Sequence, residues 1–167
     1  ILKLFEVYRS VQSECPNFYG IHLEGPFIAE EYKGAQSGEY VAKPDVRVFD
    51  AYNEASGGRI KIVTLAPECE GADALISHLT DKGIATSIGH TGAKCRDIEA
   101  AIALGAKNVT HTYNAQSPLH HREIGTVGSA MLFDELACEL IADAIHVSTP
   151  AMKLLYKSKP EGKLVLI

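Results

Sequence analysis

Four ionisable side chains fall at the ends of separate apolar runs in this sequence of 167 residues. They are Glu24 in Ile21-His22-Leu23-Glu24-Gly25, His90 in Ser87-Ile88-Gly89-His90-Thr91, His111 in Val109-Thr110-His111-Thr112, and His146 in Asp143-Ala144-Ile145-His146. One carboxylate with two imidazoles is a ligand set for a catalytic divalent cation, typically zinc, with iron(II) as an alternative. Three protein ligands hold such an ion, and an open position admits the water or carbonyl oxygen that it activates. The four groups lie far apart in the chain, so only a fold that gathers strand ends gives the set its meaning. Taken singly, each has a plainer reading: a strand-end His can bond a loop backbone, and Glu24 before Gly25-Pro26 can cap a turn. Arg122 carries a planar fork suited to phosphate or carboxylate, or else forms an exposed ion pair with Glu123 or Asp134. In Lys33-Gly34-Ala35-Gln36, Gly34 permits close backbone approach to a ligand. His78 reads as helix surface, and His120 and His121 as loop residues.

The elements that must position these groups alternate. Strands are expected at Tyr19–Glu24, Ile60–Ala66, Ile84–Gly89, Asn108–Thr112, Cys138–Asp143 and Leu164–Ile167. Helical periodicity marks Leu2–Gln12, Ala72–Lys82 closed by Gly83, Lys94–Leu104 closed by Gly105, and Pro150–Lys159. Short apolar strands alternating with helices mean a parallel sheet covered by helices, whose carboxyl ends share one face. No Gly-rich fingerprint follows any strand, which argues against a dinucleotide fold. His22 and Glu24 share one strand face while Ile21 and Leu23 share the other, as the interior of a barrel requires. A (β/α)8 barrel needs roughly 250 residues, so six strands here make an incomplete one. Residues 29–58 read as an irregular excursion or active-site lid.

Composition narrows the classes. The chain is 46% hydrophobic and 22% charged with a net charge of −5, an ordinary globular balance without a basic stripe. Nucleic acid and anionic membrane are therefore not expected partners, and no apolar run approaches the ~18 residues of a membrane span. Cys15, Cys69, Cys95 and Cys138 form no CxxC pair and read as small core residues of a reducing compartment, with the cytoplasm as the expected location. The opening on Ile1 and the closing run Lys163-Leu164-Val165-Leu166-Ile167 suggest a fragment whose last strand is cut.

Several motifs then occur in order: His22-Leu23-Glu24-Gly25-Pro26-Phe27, Lys33-Gly34-Ala35, Thr64-Leu65-Ala66-Pro67-Glu68, Gly89-His90-Thr91, Thr110-His111 with Asn114-Ala115, Leu119-His120-His121-Arg122-Glu123, and Leu140-Ile141-Ala142-Asp143 with His146-Val147. From about residue 18 onward the chain resembles the N-acetylglucosamine-6-phosphate deacetylases of the amidohydrolase superfamily. The resemblance implies a TIM-type (β/α)8 barrel, with residues 1–167 as part of it and the family's terminal β-sandwich absent. It implies that Glu24, His90 and His111 bind a divalent metal. It also implies that Asn114, Ala115 and Arg122 hold the phosphate of a small sugar-phosphate substrate, with Ala35 and Gln36 beside the acetyl group and His146 on the sugar hydroxyls. The implied reaction is attack of a metal-activated water on the acetamide, in a homodimer whose Arg122 crosses the interface.

The sequence departs from that family at a few positions. The general-base Asp is expected just after Ile167, so this chain by itself is expected to lack turnover and a closed barrel. Gln36 stands where the family usually has a His, keeping a hydrogen-bond donor without the charge. Thr112, Tyr113 and Gln116 replace more apolar residues, and Ala144 replaces Gly. An amidohydrolase for another N-acyl or cyclic amide, or a sugar-phosphate-binding relative without catalysis, are the competing readings.

Overall fold

The computed structural model describes residues 1–11, 14, 15 and 17–167. Six short strands, β1 (Ile21–Glu24), β2 (Ile60–Leu65), β3 (Ala85–Ile88), β4 (Asn108–Val109), β5 (Ala137–Leu140) and β6 (Leu164–Leu166), pair in parallel. Their spatial order is their sequence order, the winding of an incomplete TIM-type barrel rather than of a doubly wound sheet. Six helices accompany them: α1 (Leu2–Val11), α2 (Val46–Ala55), α3 (Ala72–Asp81), α4 (Cys95–Ala103), α5 (Gly125–Leu132) and α6 (Thr149–Ser158). The Gln12 end of the expected first helix lies outside the described residues.

Side-chain alternation gives the sheet two unlike faces. Leu23, Val63, Leu65, Ile88, Val109 and Cys138 form one core with the helix residues Phe49, Leu75, Ile76, Leu79, Ile98 and Leu155. Full burial of each large side chain contributes about 1.5–3 kcal/mol, so this core supplies most of the stability. The other face carries His22, Glu24, Thr64, Ser87, Asn108 and Glu139, as the alternation of His22 and Glu24 with Ile21 and Leu23 requires.

Two helices were not expected. Residues 46–55 interrupt the stretch read as irregular: the Asp45 carboxylate accepts the N–H groups of Arg47 and Val48, and Val46, Phe49 and Tyr52 turn toward the core. Residues 29–45 and 56–58 are irregular, with single 3-10 turns at Glu30–Tyr32 and Gly38–Tyr40. The first five residues of α5 are Gly, Thr, Val, Gly and Ser, all weak helix formers, and the helix has no amphipathic stripe. Its burial and local bonds hold it, as Thr126 N–H donates to Ser117 Oγ and Ser129 Oγ to the Gly125 carbonyl.

Other expectations need correction. β4 stops at Val109 rather than Thr112, because His111, Tyr113 and Ala115 take positive φ and turn the chain out of the sheet. Cys138 alone of the cysteines is buried; Cys15, Cys69 and Cys95 are partly exposed. His78 is more than surface: its Nε2 bonds Asp50 at 2.9 Å and its ring meets the edge of Phe49, tying α3 to α2.

Candidate metal centre

The carboxyl ends of β1, β3 and β4 bring Glu24, His90 and His111 together. Glu24 Oε1 lies 2.8 Å from His90 Nε2 and 3.1 Å from His111 Nε2, and the two imidazole nitrogens are 3.1 Å apart. The His90 and His111 side chains are 7% and 12% exposed while Glu24 is 42% exposed, so the cluster opens toward one side. Both His90 (φ 49°) and His111 (φ 33°) sit in the left-handed region. That conformation costs about 1 kcal/mol or more for a residue with a Cβ, and it aims both rings at one point.

Proton accounting shows what the cluster lacks. His90 Nδ1 lies 2.8 Å from the Tyr32 carbonyl, which can only accept, so Nδ1 carries the proton. Neutral His90 therefore presents a bare Nε2 lone pair to a carboxylate oxygen, an arrangement stable only with a cation or an added proton between them. Accordingly the Glu24 carboxyl is held well below its ordinary 4.5, by the hydrogen bond to His111 first and to His90 second, against the upward push of burial. Burial is the largest influence on His90 and pushes it down, but the Glu24 bond, the Tyr32 carbonyl and the carboxylate charge together raise it above 6.5. These three side chains could hold a metal ion, their ligand atoms all lying within 4.8 Å of one another. The donor set suits a divalent ion, and the Tyr32 carbonyl behind His90 is the usual support for a metal-bound imidazole. His111 Nδ1 is buried without a hydrogen-bond partner among the described residues.

Beneath the cluster, a hydrogen-bonded chain crosses the inner face. Asn108 Nδ2 donates to Glu139 Oε1 and to Ser87 Oγ. The chain continues from Ser87 Oγ to Thr110 Oγ1 at 2.6 Å, from Thr110 to Thr64 Oγ1 at 2.7 Å, and from Thr64 to His22 Nε2 at 2.7 Å. The second oxygen of Glu139 accepts the backbone N–H of His111, and the Glu139 carbonyl accepts that of Thr112. β5 thus holds both sides of His111 where the β4 ladder has ended.

No family model matches the chain. The N-acetylglucosamine-6-phosphate deacetylase of Bacillus subtilis is 47% identical over 148 residues, covering 89% of this chain and 37% of that protein. That of Lysinibacillus sphaericus is 36% identical over 173 residues, covering 98% and 45%. Among solved structures, an aspartate-to-alanine mutant of the Mycobacterium smegmatis N-acetyl-D-glucosamine-6-phosphate deacetylase, in complex with N-acetyl-D-glucosamine-6-phosphate, matches with a TM-score of 0.93 at 31% identity. It covers 99% of this chain and 43% of that one. Over nearly its whole length the chain is similar to one part of these N-acetylglucosamine-6-phosphate deacetylases. The Thermotoga maritima member matches with a TM-score of 0.86 at 35% identity over 99% of this chain and 46% of its own. The chain spans less than half the length of each of these deacetylases.

The remaining positions expected from the deacetylase resemblance lie at graded distances from the triad. Gly34 passes beside the His90 ring, where an added Cβ would lie 3.7 Å from its Cε1. Ala35 follows on the exposed side, and Gln36 packs against Gly25 next to Glu24, lining a cavity of about 360 Å³ with Tyr40 and Tyr52. Asn114 and Ala115 sit in the turn after His111: the Asn114 N–H donates to the His111 carbonyl, and the Ala115 carbonyl accepts from Thr91. Gln116 is buried and closes that turn, its amide bonding Tyr113 N–H and the Thr110 carbonyl. Arg122 and His146 are exposed on separate loops and make no hydrogen bond to the triad among the described residues. Arg122 forms no ion pair among the described residues either, because Glu123 turns away to accept the N–H groups of Cys95 and Gly125. His146 Nδ1 bonds Asp143 at 2.6 Å. Tyr32, Asn108 and Glu139 escaped the sequence reading. Tyr32 acts through its backbone and gives no signal; Glu139, a charge inside the buried run Cys138–Leu140, was the available clue.

Proposed function

We propose that the protein containing this chain is a metal-dependent hydrolase that removes the acetyl group from N-acetylglucosamine 6-phosphate, releasing glucosamine 6-phosphate and acetate. The convergence of Glu24, His90 and His111 from three strand ends, in a chain similar to one part of these deacetylases, carries the reading. Zinc is the proposed ion, with iron(II) as the alternative; when bound it would lower the pKa of a water and polarise the acetyl carbonyl. Glu24, His90 and His111 hold the ion. The Gln36 amide donates to the acetyl oxygen, and Ala35 leaves room beside it. Asn114, Ala115 and Arg122 receive the phosphate, Arg122 through its bidentate fork. The Asp143 carboxylate, brought to about 2 by its bond to His146, keeps that imidazole turned so that Nε2 meets a sugar hydroxyl.

Cleavage joins a water oxygen to the acetyl carbon, breaks the carbon–nitrogen bond and delivers a proton to the departing amine. An Asp beyond Ile167 is the proposed group that handles the proton. Residues 1–167 are read as part of the barrel domain of a cytoplasmic homodimer in which Arg122 reaches a neighbouring site. None of the described helices is long and apolar enough to cross a membrane.

The test is acetate release by the whole protein. Release from N-acetylglucosamine 6-phosphate should stop with chelator, return with zinc, and fall at least 100-fold in Arg122→Ala with little change on unphosphorylated N-acetylglucosamine. Equal losses on both sugars would favour another N-acyl substrate, and stabilisation by the sugar phosphate without acetate release would favour a binding protein.

A further inference from the structure

His90 is fixed at three points outside the triad, and one of them is a side chain without an assigned role. Its carbonyl accepts the Ala29 N–H at 3.0 Å, and its Nδ1 donates to the Tyr32 carbonyl. The turn that follows is gripped by Glu68, on the loop after β2. Thr91 Oγ1 donates to Glu68 Oε2 at 2.5 Å, and the Gly92 N–H donates to Glu68 Oε1 at 2.6 Å. On the opposite side the ring of Tyr32 lies against Gly92, where a Cβ would come within 2.7 Å of it.

Thr91 is also where three loops meet. Its N–H donates to the Ala115 carbonyl at 3.1 Å, its carbonyl accepts the Ser117 N–H at 3.0 Å, and its hydroxyl accepts the Ala93 N–H. A displacement at Thr91 therefore moves His90 on one side and the Asn114–Ala115 turn on the other. Because His90 occupies a strained φ, the turn relaxes unless both flanks hold it.

We propose that Glu68 is a positioning residue that sets His90 for the metal and, through Thr91, the Ala115 carbonyl turn for substrate. The proposal rests on the reading of the triad as a metal site. Carboxylates that orient a metal ligand through hydrogen bonds typically carry 10–100-fold in metal affinity. Glu68 differs from that pattern in gripping the backbone turn rather than the imidazole.

The experiment is a competition titration of cobalt(II) against a chelating dye on the whole protein, with the visible spectrum of the bound ion recorded. Glu68→Ala should weaken cobalt(II) roughly 10–100-fold and shift its visible bands. Thr91→Val, which keeps shape but loses the hydroxyl, should move both readouts the same way, and Thr91→Ser should restore them. Glu70→Ala removes a neighbouring exposed carboxylate that pairs with Lys43, and it should change neither. Glu68→Ala and Thr91→Val proteins that bind cobalt(II) as tightly as Glu70→Ala, with the same spectrum, overturn the positioning role. If those two bind normally while His90→Asn does not bind, the metal reading stands and this inference alone is lost. If the unaltered protein binds no cobalt(II), the metal reading falls and takes the inference with it.

Discussion

The two faces of the sheet solve opposite problems with the same backbone. On the outer face, Val63, Ile88 and Val109 meet the helices, and the fit is made by area removed from water. On the inner face, Thr64, Ser87 and Thr110 are as deeply buried, yet each hydroxyl sits in a hydrogen-bonded chain ending at His22 and Glu139. Such a layer is tolerated only when every polar atom has a partner, since an orphaned one costs about 1–3 kcal/mol. The outer face is thus interchangeable material, and the inner face is specific. At its upper edge the requirement relaxes: His111 Nδ1 is left without a partner and Glu24 faces a lone pair. The bare Nε2 of His90 facing the Glu24 carboxylate is the polar demand that a bound cation would meet.

The largest effect belongs to the apolar core between the outer face and the helices. Leu79→Ala, at a fully buried position, should lose about 2–5 kcal/mol of unfolding free energy in urea while zinc affinity of the folded protein stays unchanged. A fall in affinity would mean that the two faces are not separable.

One substitution made on both faces is sharper. Thr110→Val breaks the inner chain and takes one partner each from the Ser87 and Thr64 hydroxyls, so it should cost about 1–3 kcal/mol. Thr86→Val removes an outer-face hydroxyl that is buried without a partner, so it should be neutral or stabilising. Equal losses at the two sites would erase the distinction.

The smallest effect lies on the helix layer. The Asp50 carboxyl is held below its ordinary 3.8 by the His78 hydrogen bond first, with Lys82 adding attraction and slight burial opposing. A depressed carboxylate stabilises the fold above its unfolded pKa and loses that contribution as pH falls through the folded value. Asp50→Asn should therefore cost under about 1 kcal/mol at pH 6, and the urea midpoints of the two proteins should converge as acid protonates the Asp50 carboxylate in the folded protein. A gap that persists in acid would assign the loss to packing.

This division also explains what could be read from the residues. The outer face announces itself: Ile60–Leu65 and Ala85–Ile88 stand out as apolar runs, and the Leu75, Ile76 and Leu79 spacing gives α3. The meeting of Glu24, His90 and His111 was legible because strand ends in a parallel sheet share one rim. α5 was not, since its Gly, Thr and Ser residues carry no periodicity and depend on contacts distant in sequence. α2 was missed although Asp45 and the Val46-Phe49-Tyr52 spacing offered a cap and a face. The inner chain stayed hidden because Thr and Ser suit any strand, and only their register makes them one network. The support from Tyr32 is a backbone carbonyl, and residue identity carries no information about it.

The deciding property of the triad is whether it binds a cation. Crystals of the whole protein soaked in zinc, with diffraction recorded on both sides of the zinc absorption edge, test this directly. The predicted result is an anomalous peak about 2.0–2.2 Å from Glu24 Oε1, His90 Nε2 and His111 Nε2, with the His90–Tyr32 bond kept. A map in which zinc lies elsewhere, or in which the three side chains stay bonded to one another with no peak among them, would contradict it.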